Sequence, residues 1–342
     1  MAGHGSTRLA AGFAACVLAL AGACAWAAPA RAEDDHALMT LPADVMQFLG
    51  IYAAQDLGFW KREGLDVKTV FIAGVGSFNA VVSGAADFSV SSGAALTRAA
   101  AHGQRMVAIA NMIDKPVWGV VVRKEIAEAA HFDPKAPLAE RARMLAGKKM
   151  GVDAVNSVVH AYLRVIEKAG GIDVDSAVFA PMQPPDALAS FARGAIDGFV
   201  AGPPWPQRVL QDGSGVVIAS PTTNDPDWIV PNGSGVVVVR PQYCAEHRAI
   251  CVKMGRGLLA GAKFIHDDPA EALALMKRHF NKIDPAVIER SFKVVQLGTP
   301  VPPKMSEAVL RNSERLNIDA GLMSPADRLK SYDGLFTDEY VR

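Results

Sequence analysis

Gly84-Ala85-Ala86-Asp87-Phe88-Ser89-Val90 is echoed later in the chain by Gly194-Ala195-Ile196-Asp197-Gly198-Phe199-Val200. The surroundings match as well. An apolar run at 67–72, the loop Ala73-Gly74-Val75-Gly76 and a helical stretch at 77–83 precede the first copy. Residues 177–180, the loop Pro181-Met182-Gln183-Pro184 and a helical stretch at 185–193 precede the second. Both read strand, loop, helix, glycine, strand. The glycine accepts a positive φ and ends the helix, and the strand after it is short and apolar. Such a unit makes two parallel neighbours joined by a right-handed crossover. Two of them predict two similar α/β lobes with a cleft between.

The rest of the chain extends this plan. Its 342 residues are half hydrophobic, too many for one compact core and suited to two. In the first lobe we expect strands at 38–41 and 65–72, a helix from about Asp44 to 57 stopped by Gly58, a helix at 94–102 and a strand at 105–111, with a further strand at 117–123 near which the second region begins. In the second we expect helices at 138–145 and 156–168 and strands at 148–152 and 216–219. A strand at 236–239 returns to the first sheet. From 243 onward the chain reads as helix, broken at Pro269, Pro285, Pro300 to Pro303 and Pro325. The expected division is 33–118 plus 234–342 for one lobe and 119–233 for the other. Two crossings, near Trp118 and Asn232, make a hinge.

Residues 1–32 belong to another class. Arg8 precedes an apolar run at 9–26, and Ala30-Arg31-Ala32 leads into Glu33-Asp34-Asp35. A charged start, an apolar middle and a small-x-small end describe a secretory signal peptide cleaved after Ala32. The alternatives are a membrane anchor and a lipoprotein anchored at Cys24, where Leu20-Ala21-Gly22-Ala23-Cys24 is one residue out of register with a lipobox. Loss of Arg8 and Arg31 turns a balance of 35 basic and 35 acidic residues into a net charge of about −2. With no basic stripe, a nucleic-acid partner is not expected. Cleavage leaves Cys244 and Cys251, a disulfide candidate in an exported protein. On one continuous helix they would stand about 10 Å apart, beyond bridging distance, so a bridge requires Cys244 to lie in a turn before the helix of Cys251. The other reading is two unpaired, small apolar side chains.

Gly50-Ile51-Tyr52-Ala53-Ala54-Gln55-Asp56-Leu57-Gly58-Phe59-Trp60-Lys61-Arg62-Glu63-Gly64-Leu65-Asp66-Val67 resembles a segment of the substrate-binding proteins of ABC importers. The branch is the NMT1/THI5-like one, which handles sulfonates, taurine, nitrate and thiamine-pyrimidine precursors. The two glycine-to-strand phrases and the order of elements resemble that family across the whole mature chain. The resemblance implies a two-lobed periplasmic binding protein of type II fold, each lobe a mostly parallel sheet flanked by helices, with a helical C-terminal extension. It implies a periplasmic monomer without catalysis or cofactor, which delivers a small molecule to a permease driven by an ATPase. The pyrimidine branch often has Trp with a nearby Pro before the first helix. Here that place reads Thr40-Leu41-Pro42-Ala43-Asp44, which leaves the pyrimidine ligand as the alternative.

In open α/β sheets ligands bind beyond the carboxyl ends of the strands. That rule selects Pro42, Ser77, Ser91, Ser92, Asn111, Asn156, Ser157 and Gln183, with Asn232 at a crossing. Ser77, Ser91-Ser92 and Asn156-Ser157 open helices, whose free N–H groups favour an anion; the competing use of such residues is N-capping. Lys115 is the only cation read near these loops, which points to a carboxylate or sulfonate on an organic body rather than to a dense ion. Phe48, Phe78, Trp118 and Trp205 are the candidate apolar walls. No histidine pairs with cysteine or carboxylate at metal spacing. No serine sits in a nucleophile elbow, and Asp87 and Asp197 read as turn residues. An enzyme similar to the fungal thiamine-precursor synthases would need a cysteine-rich motif. A regulator's effector domain would need a DNA-binding helix pair at the N-terminus, where this chain carries its signal.

Overall fold

The structure, a computed structural model, describes residues 34–72, 74–173 and 178–342. The signal-peptide reading at 1–32, with Cys24, lies outside them. Residues 34–342 form one compact unit built on two five-stranded sheets. The strands are β1 (Asp35–Leu41), β2 (Leu65–Phe71), β3 (Phe88–Ser91), β4 (Val107–Asn111), β5 (Gly119–Arg123), β6 (Lys149–Val152), β7 (Val178–Pro181), β8 (Gly198–Ala201), β9 (Gly215–Ala219) and β10 (Val236–Val239). The first sheet has the order β2-β1-β3-β10-β4 and the second β7-β6-β8-β5-β9. β10 runs antiparallel to both β3 and β4, and β5 antiparallel to both β8 and β9. The other pairs are parallel, so in each sheet one strand alone is reversed. This is the expected mostly parallel sheet, twice. The reversed strand is in each case the one that enters after a crossing from the other sheet.

The repeated phrase does the same work in both sheets. Gly84 and Gly194 have φ of 82° and 75° and end the helices Val75–Val82 and Pro184–Ala192. Asp87 Oδ2 accepts the Leu38 N–H, and Asp197 Oδ2 accepts the Lys149 N–H, both at 2.8 Å. Each aspartate thus stitches its own strand to the neighbouring parallel one. An arginine behind each reversed strand completes the unit. Arg240 donates to the carbonyls of Val81 and Ala86, and Arg123 to that of Phe191. Both close the exposed carbonyls of a helix C-terminus, where positive charge also complements the helix dipole.

Valines make β10 buried along its whole length, as a central strand covered on both faces requires. Helices pack against it on either side. Arg248–Asp267 lies against Leu49–Asp56 so closely that a Cβ on Gly261 would come within 2.0 Å of the Gly50 carbonyl oxygen. Trp60, 2% exposed, fills the next position and donates its ring N–H to the Met254 carbonyl. Pro269 and Pro285 do not merely break helices. Each occupies the first turn of one, capped by Asp268 and Asp284, where the missing N–H has no partner to lose.

Three local expectations change. The helix expected from Asp44 starts later, with a 3₁₀ turn at Met46–Phe48 followed by Leu49–Asp56. Asp44 accepts the Tyr52 hydroxyl instead of capping. Cys244 sits in a short helix, Pro241–Glu246, rather than a turn. The break at His247 brings its Cα to 5.7 Å from that of Cys251, and the two are disulfide-bonded. The third change concerns Glu307–Asp319, which packs on both sheets. Val309 and Leu310 join the apolar cluster beside β4 and β10, while Leu316 and Ala320 join the cluster of the second sheet. The two sheets are therefore linked by this helix as well as by the chain crossings between β4 and β5 and between β9 and β10.

Candidate functional site

The two sheets present the carboxyl ends of equivalent strands to one another. Loops after β1, β2 and β3 face loops after β6, β7 and β8 across a cleft of about 400 Å³. That is the size of a small-molecule site. Its walls are mainly apolar and include Pro42, Val45, Phe48, Phe78, Val90, Trp118, Val158 and Val159. The polar lining consists of Gln47, Ser91, Ser92, Arg98, Asp153, Ser157, Gln183 and Ser234. A second hollow of about 340 Å³ lies on the other side of Trp118. Its charged pair, Arg141 and Asp225, is bonded to itself at 2.7 Å, so the cleft is the candidate site.

The expected residues divide. Pro42, Phe48, Ser91, Ser92, Trp118, Ser157 and Gln183 line the cleft. Ser92 and Ser157 are also N-caps: their hydroxyl oxygens accept the N–H groups of Ala95 and His160. Gln183 precedes Pro184–Ala192 without capping it, which leaves its amide to the cleft. Ser77, Asn111, Asn156, Trp205 and Asn232 are not among the lining residues. Ser77 lies inside its helix rather than at its start, and its hydroxyl bonds those of Thr40 and Ser89 behind β1 and β3. Asn111 Nδ2 donates to the Asn232 carbonyl, while the Asn232 N–H donates to the Asp114 carbonyl. Both residues are buried and tie the two crossings together. Trp205 packs with Val121, Phe199 and Ala201 at the back of the second sheet. Lys115 is likewise not among the residues that face the cleft.

Arg98 is the cleft-lining cation that loop-based reading overlooks. It stands within the helix Gly93–Ala101, not in a loop. The missed signal is spacing: Ser92, Ala95 and Arg98 recur every third residue and so share one face, and all three line the cleft. Nη1 of Arg98 donates to Asn317 Oδ1 at 2.8 Å and Nη2 to the Asn156 carbonyl at 3.2 Å. Burial lowers its pKa from the ordinary value. Asn317, fully buried on Glu307–Asp319, also donates to the Ala94 carbonyl and to Thr97. The guanidinium is thereby held in place by a third element.

The facing loop is ordered by its own side chains. Asp153 Oδ1 accepts the Ser157 hydroxyl at 2.6 Å and the Ala154 N–H at 2.8 Å. Burial raises the Asp153 pKa, and these hydrogen bonds oppose the shift. His160 Nδ1 accepts the Asn156 N–H at 2.9 Å. Burial, with Arg164 adding to it, pushes the His160 pKa down to about 4, so the ring is neutral at pH 7 and Nδ1 can accept. Asn156 has φ of 62°, a left-handed conformation that Asn tolerates better than most residues. Among the described residues no group of three or more His, Cys, Asp or Glu could hold a metal ion.

No curated protein matches the chain by sequence. Among solved structures the fold is similar to that of a Bordetella bronchiseptica RB50 protein, at 20% identity and TM-score 0.74 over 91% of this chain and 96% of that one. It is similar to the periplasmic aliphatic sulphonate binding protein SsuA of Escherichia coli, at 16% identity and TM-score 0.68 over 90% and 99%. It is also similar to the periplasmic nitrate-binding protein NrtA of Synechocystis PCC 6803, at 15% identity and TM-score 0.68 over 90% and 87%. At these identities the likeness is one of fold, that of the periplasmic binding proteins. A family model described as NMT1/THI5 like matches residues 45–272, most of the length over which both sheets are laid down, and the chain belongs to that NMT1/THI5-like family.

Proposed function

We propose that this protein is the solute-binding component of an ABC-type importer. It captures a small organic ligand with an anionic group, a sulfonate or carboxylate, in the cleft between its sheets. It then passes the ligand to a membrane permease coupled to an ATPase. The observation that carries this reading is Arg98. Among the described residues lining the cleft it is the one cation, and the two of its N–H donors that bond protein meet neutral acceptors, a side-chain amide and a backbone carbonyl. Ser92 and Ser157 open helices on opposite sides of the same cleft, which adds partial positive charge to both walls. Aromatic walls at Phe48, Phe78 and Trp118 suit an organic body better than a bare ion.

The lobes in this reading are 33–118 plus 234–342 and 119–233, hinged where the crossings bond each other. The mature protein is a periplasmic monomer released by cleavage after Ala32. No helix among the described residues is long and apolar enough to cross a membrane. A pyrimidine precursor, one of the ligands that the family resemblance implies, is the alternative. A thermal-shift screen of the mature protein against alkyl and aryl sulfonates, carboxylates, nitrate and aminopyrimidines tests the reading. A ligand at 100 times its Kd adds about 2.7 kcal/mol of stability. Stabilisation by no anion, or turnover of any compound in the screen, overturns it.

A further inference from the structure

The hollow of about 340 Å³ on the far side of Trp118 shares only that residue with the cleft. Its walls come from β5, β9, the helix Trp205–Asp212 and, through Val294, the helix Pro285–Gly298. Most polar groups on these walls are already satisfied. Arg141 gives Nη1 and Nη2 to Asp225 and Nε to the Ala136 carbonyl. Asp225 also accepts the Thr223 hydroxyl. The Ser220 hydroxyl donates to the Trp118 carbonyl and bonds that of Thr222. Gln207 is the exception. It is 9% exposed, and its Oε1 is buried with no hydrogen-bond partner among the described residues. A buried amide oxygen without a donor is costly. The hollow that Gln207 lines is the space from which a donor can reach it.

We propose that this hollow is a second binding site, for a small neutral molecule that carries an N–H group beside a carbonyl, as a lactam does, and that Gln207 recognises it. Oε1 accepts the ligand N–H and Nε2 donates to the ligand carbonyl, the pairing of one amide with another. Ions of either sign are disfavoured. Arg141 and Asp225 neutralise each other at 2.7 Å, so an ionised ligand would be buried here without a counter-charge. The rest of the lining is largely apolar, from Val117, Pro206, Leu210, Val217 and Val294, and Leu210 is still 45% exposed. A ring of methylenes covers that surface. A single water could donate to Oε1 but would leave the apolar wall uncovered. The site does not depend on what the cleft binds. Trp118, common to both cavities, reports on each.

Protein-observed NMR of the mature protein with two matched probes tests the proposal: ε-caprolactam, which has the N–H, and cycloheptanone, the ketone of the same ring size. ε-Caprolactam is expected to shift the Gln207 side-chain amide and the Trp118 indole resonances saturably. It is expected to bind about tenfold more tightly than the more apolar ketone, the scale of one hydrogen bond. Gln207→Leu keeps the bulk without the amide and is expected to erase that preference. The backbone resonances of Ser92 and Ser157, which line the cleft and not the hollow, should stay in place. Equal or tighter binding of the ketone by the wild type overturns the recognition by Gln207, and so does a preference that survives in Gln207→Leu. If that variant does not fold, the two probes on the wild type decide alone. Shifts confined to cleft residues, or no shift of the Gln207 amide up to the solubility limit of the lactam, overturn the second site and leave the reading of the cleft standing.

Discussion

Arg98 Nη2 reaches across the cleft to the backbone carbonyl of Asn156 at 3.2 Å. One partner belongs to the helix after β3 of the first sheet, the other to the turn after β6 of the second. The bond therefore joins the loop regions at the carboxyl ends of a strand from each sheet. A second approach lies nearby, where Gln47 Oε1 comes so near Gly202 that a Cβ there would be only 2.5 Å away. The cleft is bounded by these two contacts, and its polar chemistry turns on the first.

Replacing Arg98 removes both the bridge and the cation. Arg98→Gln is expected to weaken binding of the stabilising anion by about 1.5–3 kcal/mol, the range for a hydrogen bond to a charged group. Arg98→Lys should recover only part of this, because an ammonium cannot hold Asn317 and Asn156 in the fixed fork of a guanidinium. Isothermal titration of the three proteins checks the order. Equal affinities would remove Arg98 from the site.

Asn156 contributes its backbone rather than its side chain. With φ of 62°, Asn156→Ala should cost about 1 kcal/mol through strain, whereas Asn156→Gly should leave stability nearly unchanged. Both retain the carbonyl that Arg98 uses, so affinity for an anionic ligand should move less than in Arg98→Gln. Thermal melts paired with titrations separate the two effects.

Glu167 is fully buried and neither carboxyl oxygen has a hydrogen-bond partner. Burial pushes its pKa up from 4.5 to about 7, against the pull of Arg164. Between those values the folded state holds the proton more tightly than the unfolded one, so this group's contribution to stability falls as pH rises and is lowest above about pH 7. Glu167→Gln should raise the melting temperature at pH 8, by on the order of 2 kcal/mol of stability, and change little at pH 4. An equal effect at both pH values would contradict the assignment.

His160 has the opposite sign. Its pKa falls from 6.5 to about 4, so the unfolded state takes the proton first and the contribution to stability is lost as pH drops through that window. Protonation of Nδ1 also removes the acceptor for the Asn156 N–H and loosens the turn that carries Asp153 and Ser157. Ligand affinity should fall as pH drops through about 4, where the folded ring takes up its proton, and much less steeply in His160→Gln. The ring resonances should show no titration near pH 6.5.

The Cys244–Cys251 bridge closes a loop of sequence separation 7 between two helices. Loop-closure entropy for so short a loop corresponds to about 2–3 kcal/mol. Reduction, or Cys244→Ser with Cys251→Ser, should lower stability by about that amount. Ligand affinity should stay the same, since neither cysteine lines the cleft. Mass spectrometry without reductant should recover the linked peptide.

Much of this was legible in the chain itself, wherever the physics is local. A glycine that needs positive φ, an aspartate three residues later and an apolar strand after it form one unit within a few residues, so both copies could be read and paired. Their order along the chain then limits the sheets to parallel crossovers, and the seven-residue spacing of the cysteines requires a break between them. The resemblance of residues 50–67 to a known family came from the same class of feature, helix ends and turns. The cleft was legible only in part. Ser92, Ser157 and Gln183 were found because strand ends carry ligands, while Ser77 and Asn111 satisfied the same rule and proved to be buried bonds behind the sheets. Which polar residue of a loop faces ligand depends on the register of its helix and on what packs behind it. Arg98 shows this most clearly: in sequence it is a charge on an alanine-rich helix, indistinguishable from a solvated one. Its orientation comes from Asn317, more than two hundred residues away, on a helix that packs against both sheets. Asp153 has the same history, since a charge becomes unpaired and half-buried only when the opposite wall arrives. Local backbone preference determined the elements and their order, and long-range packing decided which charges face the cleft without a counter-charge.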